Sequence, residues 1–256
     1  MNELGWIDSH AHLCEDNFKE DIDMVITNAL NANVKRIMVI VCGLDQVNYG
    51  LKLKKQYDMV DLALGIHPED ADEADEQMLE KLDTLLATKA FVAVGEIGLD
   101  YYWRKDNKVK QQALFDAQLK LANKHHLPVL VHSREATNDT YTTLKAANVI
   151  KKGVMHCYSG SVEMAKEYVK LGYLISLAGP VTFKNAVLPV AVAKQLDIKD
   201  LLIETDAPFM APVPKRGKRN EPAYVRFVGE YISALKGIDE AEFIKQLHIN
   251  YQSLIG

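Results

Sequence analysis

The sequence predicts a (β/α)8 barrel that occupies residues 1–256 as one domain. Three observations lead there. Eight short apolar runs rich in β-branched residues recur along the chain, each followed by a stretch with helical spacing of apolar residues. Most of these runs are continuously apolar, as expected for strands buried on both faces of an all-parallel sheet. The length of 256 residues matches one such barrel. An open doubly wound sheet is the competing architecture and would usually carry fewer strands.

In chain order, "WIDSH" is the first expected strand, and "DIDMVITNALNANV" follows it with apolar residues at helical spacing. "RIMVIVCG", "VDLALGIHP" and "FVAVGEIG" give the next three strands. "QQALFDAQLKLANKHH" is an amphipathic helix that leads into "LPVLVHSR". "GVMHCYSG", "YLISLAG" and "LLIETDAP" complete the set. No Gly/Ser linker, low-complexity block or further repeat interrupts the alternation. The longest irregular segment, "APFMAPVPKRGKRNEPAYV", comes directly after the eighth run. A loop that long inside a compact domain is often functional.

The formal net charge is −5, which argues against a broad duplex-binding surface of Lys and Arg. A nucleic-acid site centred on bound cations stays open, because the ions bring their own positive charge. Cys14, Cys42 and Cys157 form an odd, sparse set without CxxC, which points to a reducing compartment. The first residues lack a basic stretch followed by an apolar one, and no apolar run approaches a membrane span. A soluble cytoplasmic protein with no membrane contact and no obligate protein partner is expected.

The chemistry lies at the ends of the runs. His10 and His12 close the first, His67 the third, Glu96 the fourth, His132 the fifth, His156 the sixth and Asp206 the eighth. His10 and His12 are two apart on a strand and share a face. In a barrel all strand C-termini gather at one end, where the active site lies. His125, His126 and His248 are expected near helix ends, where the helix dipole accounts for them. Imidazoles and carboxylates without thiolate suit Zn or Mn, with Mg at an oxygen-rich position. His10, His12, Glu96, His132, His156 and Asp206 exceed the needs of one tetrahedral ion. A shared carboxylate such as Glu96 would let them hold two ions.

The motifs "DSHAHL", "GIHPED", "GEIGLDYYW", "LPVLVHSRE", "MHCYSGS", "AGPVTFKNA" and "ETDAPFMAPVPKRGKRNEPAYV" resemble the TatD family of metal-dependent deoxyribonucleases, in the amidohydrolase-like superfamily of barrels. The likeness runs from Ile7 to Asn250 and is nearest to YabD/YcfH-type members. It implies a divalent-metal phosphodiesterase acting on single-stranded or end-frayed DNA, as a 3′→5′ exonuclease. The family's ligands fall on the same six residues, and its strand-three histidine falls on His67, as a phosphate contact or an acid. Cys14, Glu135 and Tyr158 stand where Asp or Asn, Asp, and Phe are commoner. None of these departures removes a ligand; they leave substrate preference open.

The resulting expectation is phosphodiester hydrolysis by a metal-activated water. His10, His12 and Asp206 would hold one ion and His132 and His156 the other, with Glu96 between them. Asp206 is also the candidate proton acceptor. Glu204 shares its face and would orient a ligand histidine, or be a structural carboxylate. Tyr101, Tyr102 and Trp103 can stack on unpaired bases or pack beneath a loop. Arg104, Arg134, Lys184, Arg216 and Arg219 are candidate phosphate contacts, Arg134 above all because it follows a ligand by two positions. The rival readings are amide, lactone or ester hydrolysis on the same scaffold, including deacylation of aminoacyl-tRNA, and a non-enzymatic metal-binding module. No strand-four lysine replaces Glu96, so a carbamylated-lysine centre is disfavoured.

Overall fold

A computed structural model describes residues 4–256. Eight strands form one parallel sheet in sequence order: β1 (Trp6–Ala11), β2 (Val34–Cys42), β3 (Val60–Gly65), β4 (Ala93–Asp100), β5 (Val129–Arg134), β6 (Gly153–Met155), β7 (Leu174–Leu177) and β8 (Leu201–Ile203). The sheet closes through the chain just beyond β8. Asp206 N donates to His10 O at 2.9 Å, His12 N donates to Ala207 O at 2.8 Å, and Ala11 bridges Ala207 in parallel. β1, β3 and β4 are buried at every residue, including the polar Asp8, Ser9 and His10 of β1, Asp61 of β3 and Glu96 and Asp100 of β4, because the sheet is covered on both faces.

Between the strands run α1 (Ile22–Asn31), α2 (Val47–Gln56), α3 (Glu76–Leu86), α4 (Lys108–His125), α5 (Thr137–Ala147), α6 (Val162–Lys170) and α7 (Val187–Gln195). α8 (Val225–Lys236) follows β8, and an additional α9 (Glu240–Ile255) ends the chain. Side-chain caps fix several starts. Asp75 accepts from Met78 N at 2.8 Å, Ser161 from Met164 N at 3.2 Å, and Asp239 from Ala241 N and Glu242 N. No helix of the described residues is long and apolar enough to cross a membrane.

The histidine expectations outside the strand ends need one correction. His125 does sit in the last turn of α4, 2.6 Å from Asp83, and His126 caps that helix in the left-handed region. His248 lies inside α9 and not at its end; its Nε2 meets the carbonyl of Gly5 at 2.8 Å. It ties the last helix to the start of β1, a hydrogen bond and not a dipole effect.

Two features position the site. The register of β4 against β5 shifts between Val94 and Ile97, and such a bulge re-aims the side chain it contains, here Glu96. Gly98 then pairs with His132 at φ +145°, and a Cβ on it would lie 2.0 Å from His132 O. Gly98→Ala is expected to cost about 1–3 kcal/mol from backbone strain alone, read as a lower denaturation midpoint. A midpoint equal to the parent's would show that β4 can move away from β5 freely.

Candidate metal centre

The buried Asp8 accepts from both Thr205 N and Thr205 Oγ1, at 2.8 and 2.5 Å. Burial pushes its carboxyl up to about 8 against those bonds. Asn220, also buried, donates to Thr205 O and Phe209 O at 2.8 and 2.7 Å. Together they pin the segment that carries Asp206 beside the end of β1. His10 and His12 arrive from β1, Glu96 from β4, His132 from β5, and His156 from the residue after β6.

These six side chains meet at the C-terminal mouth of the barrel. His10 Nε2 lies 3.2 Å from both His12 Nε2 and Glu96 Oε2. His12 Nε2 is 3.4 Å from Glu96 Oε2 and 3.3 Å from Asp206 Oδ1, and His10 Nε2 is 3.9 Å from Asp206 Oδ1. On the other side of the same carboxylate, Glu96 Oε1 lies 2.7 Å from His156 Nε2 and 2.9 Å from His132 Nδ1, which are 3.4 Å apart. His67 Nε2 approaches the same oxygen at 3.6 Å. Glu96 therefore stands between two clusters, one on each oxygen.

The donor set fits a bound cation. Ligands about 2.0–2.1 Å from a tetrahedral ion are about 3.3 Å from one another, close to the spacing of the atoms around Glu96 Oε2. His132 supplies a second argument. Its Nε2 faces Asp100 Oδ2 at 2.9 Å while its Nδ1 faces Glu96. A neutral imidazole has one proton and can donate to only one of two carboxylates, so the other nitrogen is free to ligate. Among the described residues Glu96 and Asp206 pair with imidazoles and with no Lys or Arg. Buried carboxylates in that position call for positive charge.

Electrostatics keep the carboxylates ionised. Burial works to raise Glu96, but His156, His10 and His132 hold it well below the usual carboxylate range. Asp206 is lowered against burial chiefly by its bond to His12. Burial opposes charge on the imidazoles too. It wins at His10, helped by His156, and lowers that group. At His12 the bonds to Asp206 and Cys42 and the charge of Glu96 together outweigh it; at His156, Glu96 and Glu204 do; at His132, Asp100 and Glu96 do, and all three are raised. Glu204 lies beneath His156, with Oε1 3.4 Å from Nδ1, and accepts from Cys157 N at 2.5 Å.

The substrate-side residues divide. Trp103 and Tyr102 are 59% and 43% exposed, and the exposed Arg134 lies over both rings, 4.0 Å from the Tyr102 centroid and 5.4 Å from that of Trp103. Tyr101 does not join them. It is 6% exposed, donates to Asp139 at 2.8 Å and has Lys108 over its ring, so it packs beneath the loop and offers no face to a base. Arg104 is engaged with Asp72, and Arg219 with Asp21 at 2.6 Å, so neither is a free phosphate contact. Arg216 lies over Phe183 at 4.1 Å.

Three neighbours of the centre were not singled out from sequence. Asp100 holds His132. Cys42 Sγ lies 3.8 Å from His12 Nδ1. Phe209, 52% exposed, sets its ring 6.0 Å from that of His12. Asp100 was accessible to the strand-parity argument, being four residues beyond Glu96. Cys42 ends β2 and was open to the strand-end argument, whereas Phe209 carries no such signal.

Residues 7–256 match the family model described as TatD related DNase. The chain belongs to the TatD family. A metal-dependent hydrolase, YabD of Bacillus subtilis (strain 168), is 42% identical over 230 residues, 90% of each chain. YcfH of Escherichia coli (strain K12), also named a metal-dependent hydrolase, is 36% identical over 97% of this chain and 94% of its own. The crystal structure of YjjV, a TatD homologue from E. coli K12, superposes with a TM-score of 0.94 at 33% identity, covering 98% of this chain and 97% of the other. This TatD protein is a metal-dependent hydrolase on a (β/α)8 barrel, and its clustered His, Glu and Asp side chains are its candidate metal ligands.

Proposed function

We propose that this TatD protein is a deoxyribonuclease that uses two divalent cations, Zn, Mn or Mg, to hydrolyse phosphodiester bonds from the 3′ ends of single-stranded or frayed DNA. The observation that carries the reading is Glu96, with one ligand cluster on each carboxylate oxygen. His10, His12 and Asp206 would hold one cation, His132 and His156 the other, with Glu96 shared. Bound cations of this kind supply water activation and stabilisation of charge on phosphoryl and leaving oxygens.

The chain's own groups account for the rest. The side chain of Asp206 is 10% exposed, so it can take a proton from an attacking water that enters at the mouth. His67 Nδ1 accepts from Glu69 N at 3.3 Å, which leaves the proton of a neutral ring on Nε2, pointed at the centre. From there it donates a hydrogen bond to a phosphate oxygen or to the leaving oxygen as charge builds on it. Arg134 offers a forked cation to the phosphate, and its stacking on Tyr102 holds that fork in place. Trp103 presents a face for an unpaired base. A cytoplasmic location accords with this reading.

The test is a panel of end-labelled single- and double-stranded DNA and RNA, with a generic carboxylic ester as control, assayed with the metal-loaded protein. The expected result is DNA shortened from its 3′ end, with the 5′ label retained on a shrinking ladder. Turnover of the ester or of an aminoacyl-tRNA, with DNA untouched, would overturn the proposal. Trp103→Ala is expected to raise KM on single-stranded DNA by the equivalent of about 1–3 kcal/mol for a stacked base. A small phosphodiester without a base should be hardly affected. Equal losses on both would assign Trp103 to packing.

A further inference from the structure

Asp100 is fully buried at the end of β4 and uses both carboxylate oxygens in opposite directions. Oδ2 accepts from His132 Nε2 at 2.9 Å. Oδ1 accepts from the backbone N–H groups of Tyr102 and Trp103, each at 2.8 Å. Its own backbone is fixed by Gln111, which accepts from Asp100 N and donates to Asp100 O, both at 2.8 Å. A rigid carboxylate thus stands between a candidate metal ligand and the turn that presents the exposed Tyr102 and Trp103.

We propose that Asp100 is a positioning residue that ties metal occupancy at His132 to the setting of the Tyr102–Trp103 turn. It accepts the Nε2 proton of His132, so the Nδ1 lone pair faces Glu96 Oε1 and the cation. The same carboxylate holds the two N–H groups that begin the turn. Rotating His132 away from the centre would pull on Oδ2 and loosen the grip of Oδ1, and ordering the turn would in the same way favour the ligating tautomer. The inference rests on His132 being a ligand, as in the reading above, and not on the substrate being DNA.

Asparagine at this position separates the two duties. The turn offers two donors, so the oxygen of the introduced amide is drawn to them and its NH2 is left facing His132 Nε2. That arrangement forces the His132 proton onto Nδ1 and blocks the ligating lone pair. Asp100→Asn is therefore expected to weaken binding of the second Zn or Mn ion by about 10–100-fold, measured by competition with a chromogenic chelator on the purified full chain. With both proteins free of metal, acrylamide quenching of Trp103 should stay as in the parent. The only other tryptophan, Trp6, is 3% exposed and contributes little to that signal.

Asp100→Ala is expected to lose both properties, with weaker metal binding and stronger quenching of Trp103. In the parent, adding metal should reduce quenching; in Asp100→Ala it should not. Parent-like metal affinity in Asp100→Asn, or metal-responsive quenching retained in Asp100→Ala, would overturn the proposal. If the alanine variant does not fold, the asparagine variant decides alone. His132→Ala separates this proposal from its premise. If it leaves metal stoichiometry unchanged, His132 is not a ligand; if it lowers stoichiometry while Asp100→Asn does not, only the role of Asp100 fails.

Discussion

Glu96→Gln is expected to reduce kcat by more than about a hundredfold, beyond what loss of a supporting partner alone usually costs, and to lower bound metal from two ions per chain toward one. The amide keeps the shape of the side chain and can still offer one oxygen. It removes the charge that sits 2.7–3.6 Å from the nitrogens of five imidazoles. His10 and His12 on one oxygen, and His132 and His156 on the other, lose the group they share. The amide nitrogen, a donor, must also face one of the two clusters, where it competes with a cation. Elemental analysis and rates on the same preparation test both halves. Two ions retained with near-parental kcat would reduce Glu96 to a supporting role.

Metal removal should separate activity from folding. Chelation followed by buffer exchange is expected to abolish turnover while the helical circular dichroism stays close to that of the loaded protein. The fold rests on eight paired strands and a continuous apolar core from Trp6 to Leu254, and the ligands lie at the mouth of that core. Returning the metal at about a hundred times its Kd should add about 2.7 kcal/mol of stability by mass action, visible as a raised melting temperature. Full activity in a stringently metal-free sample would contradict the metal-dependent reading. Loss of the helical signal on chelation would make the metal structural.

The barrel is legible because most of its strands are short apolar runs and most stretches between them carry apolar residues at helical spacing. Each "strand, then amphipathic stretch" unit reads locally, and a parallel sheet follows from the crossovers. The six candidate ligands were legible for the same reason, since the fold places every strand end at one rim. The eighth run, "LLIETDAP", extends in sequence to Pro208, whereas the strand ladder ends at Ile203. The remainder closes the barrel through His10 and Ala207, a pairing between chain ends that local spacing does not encode.

Tyr101, Tyr102 and Trp103 show where sequence runs out. They are consecutive and similar in character, yet Asp100 turns the backbone so that the first is buried and the next two are exposed. Arg104 and Arg219 were candidates by charge alone, and partners distant in sequence, Asp72 and Asp21, engage them. His248 owes its place to Gly5, at the other end of the chain.

The most direct measurement of the central claim is an anomalous-diffraction map from crystals of the full chain grown or soaked with Zn or Mn. The account predicts two ions, one held by His10, His12 and Asp206 and the other by His132 and His156, with Glu96 contacting both. A single ion, or a second one with no contact to Glu96, would contradict it.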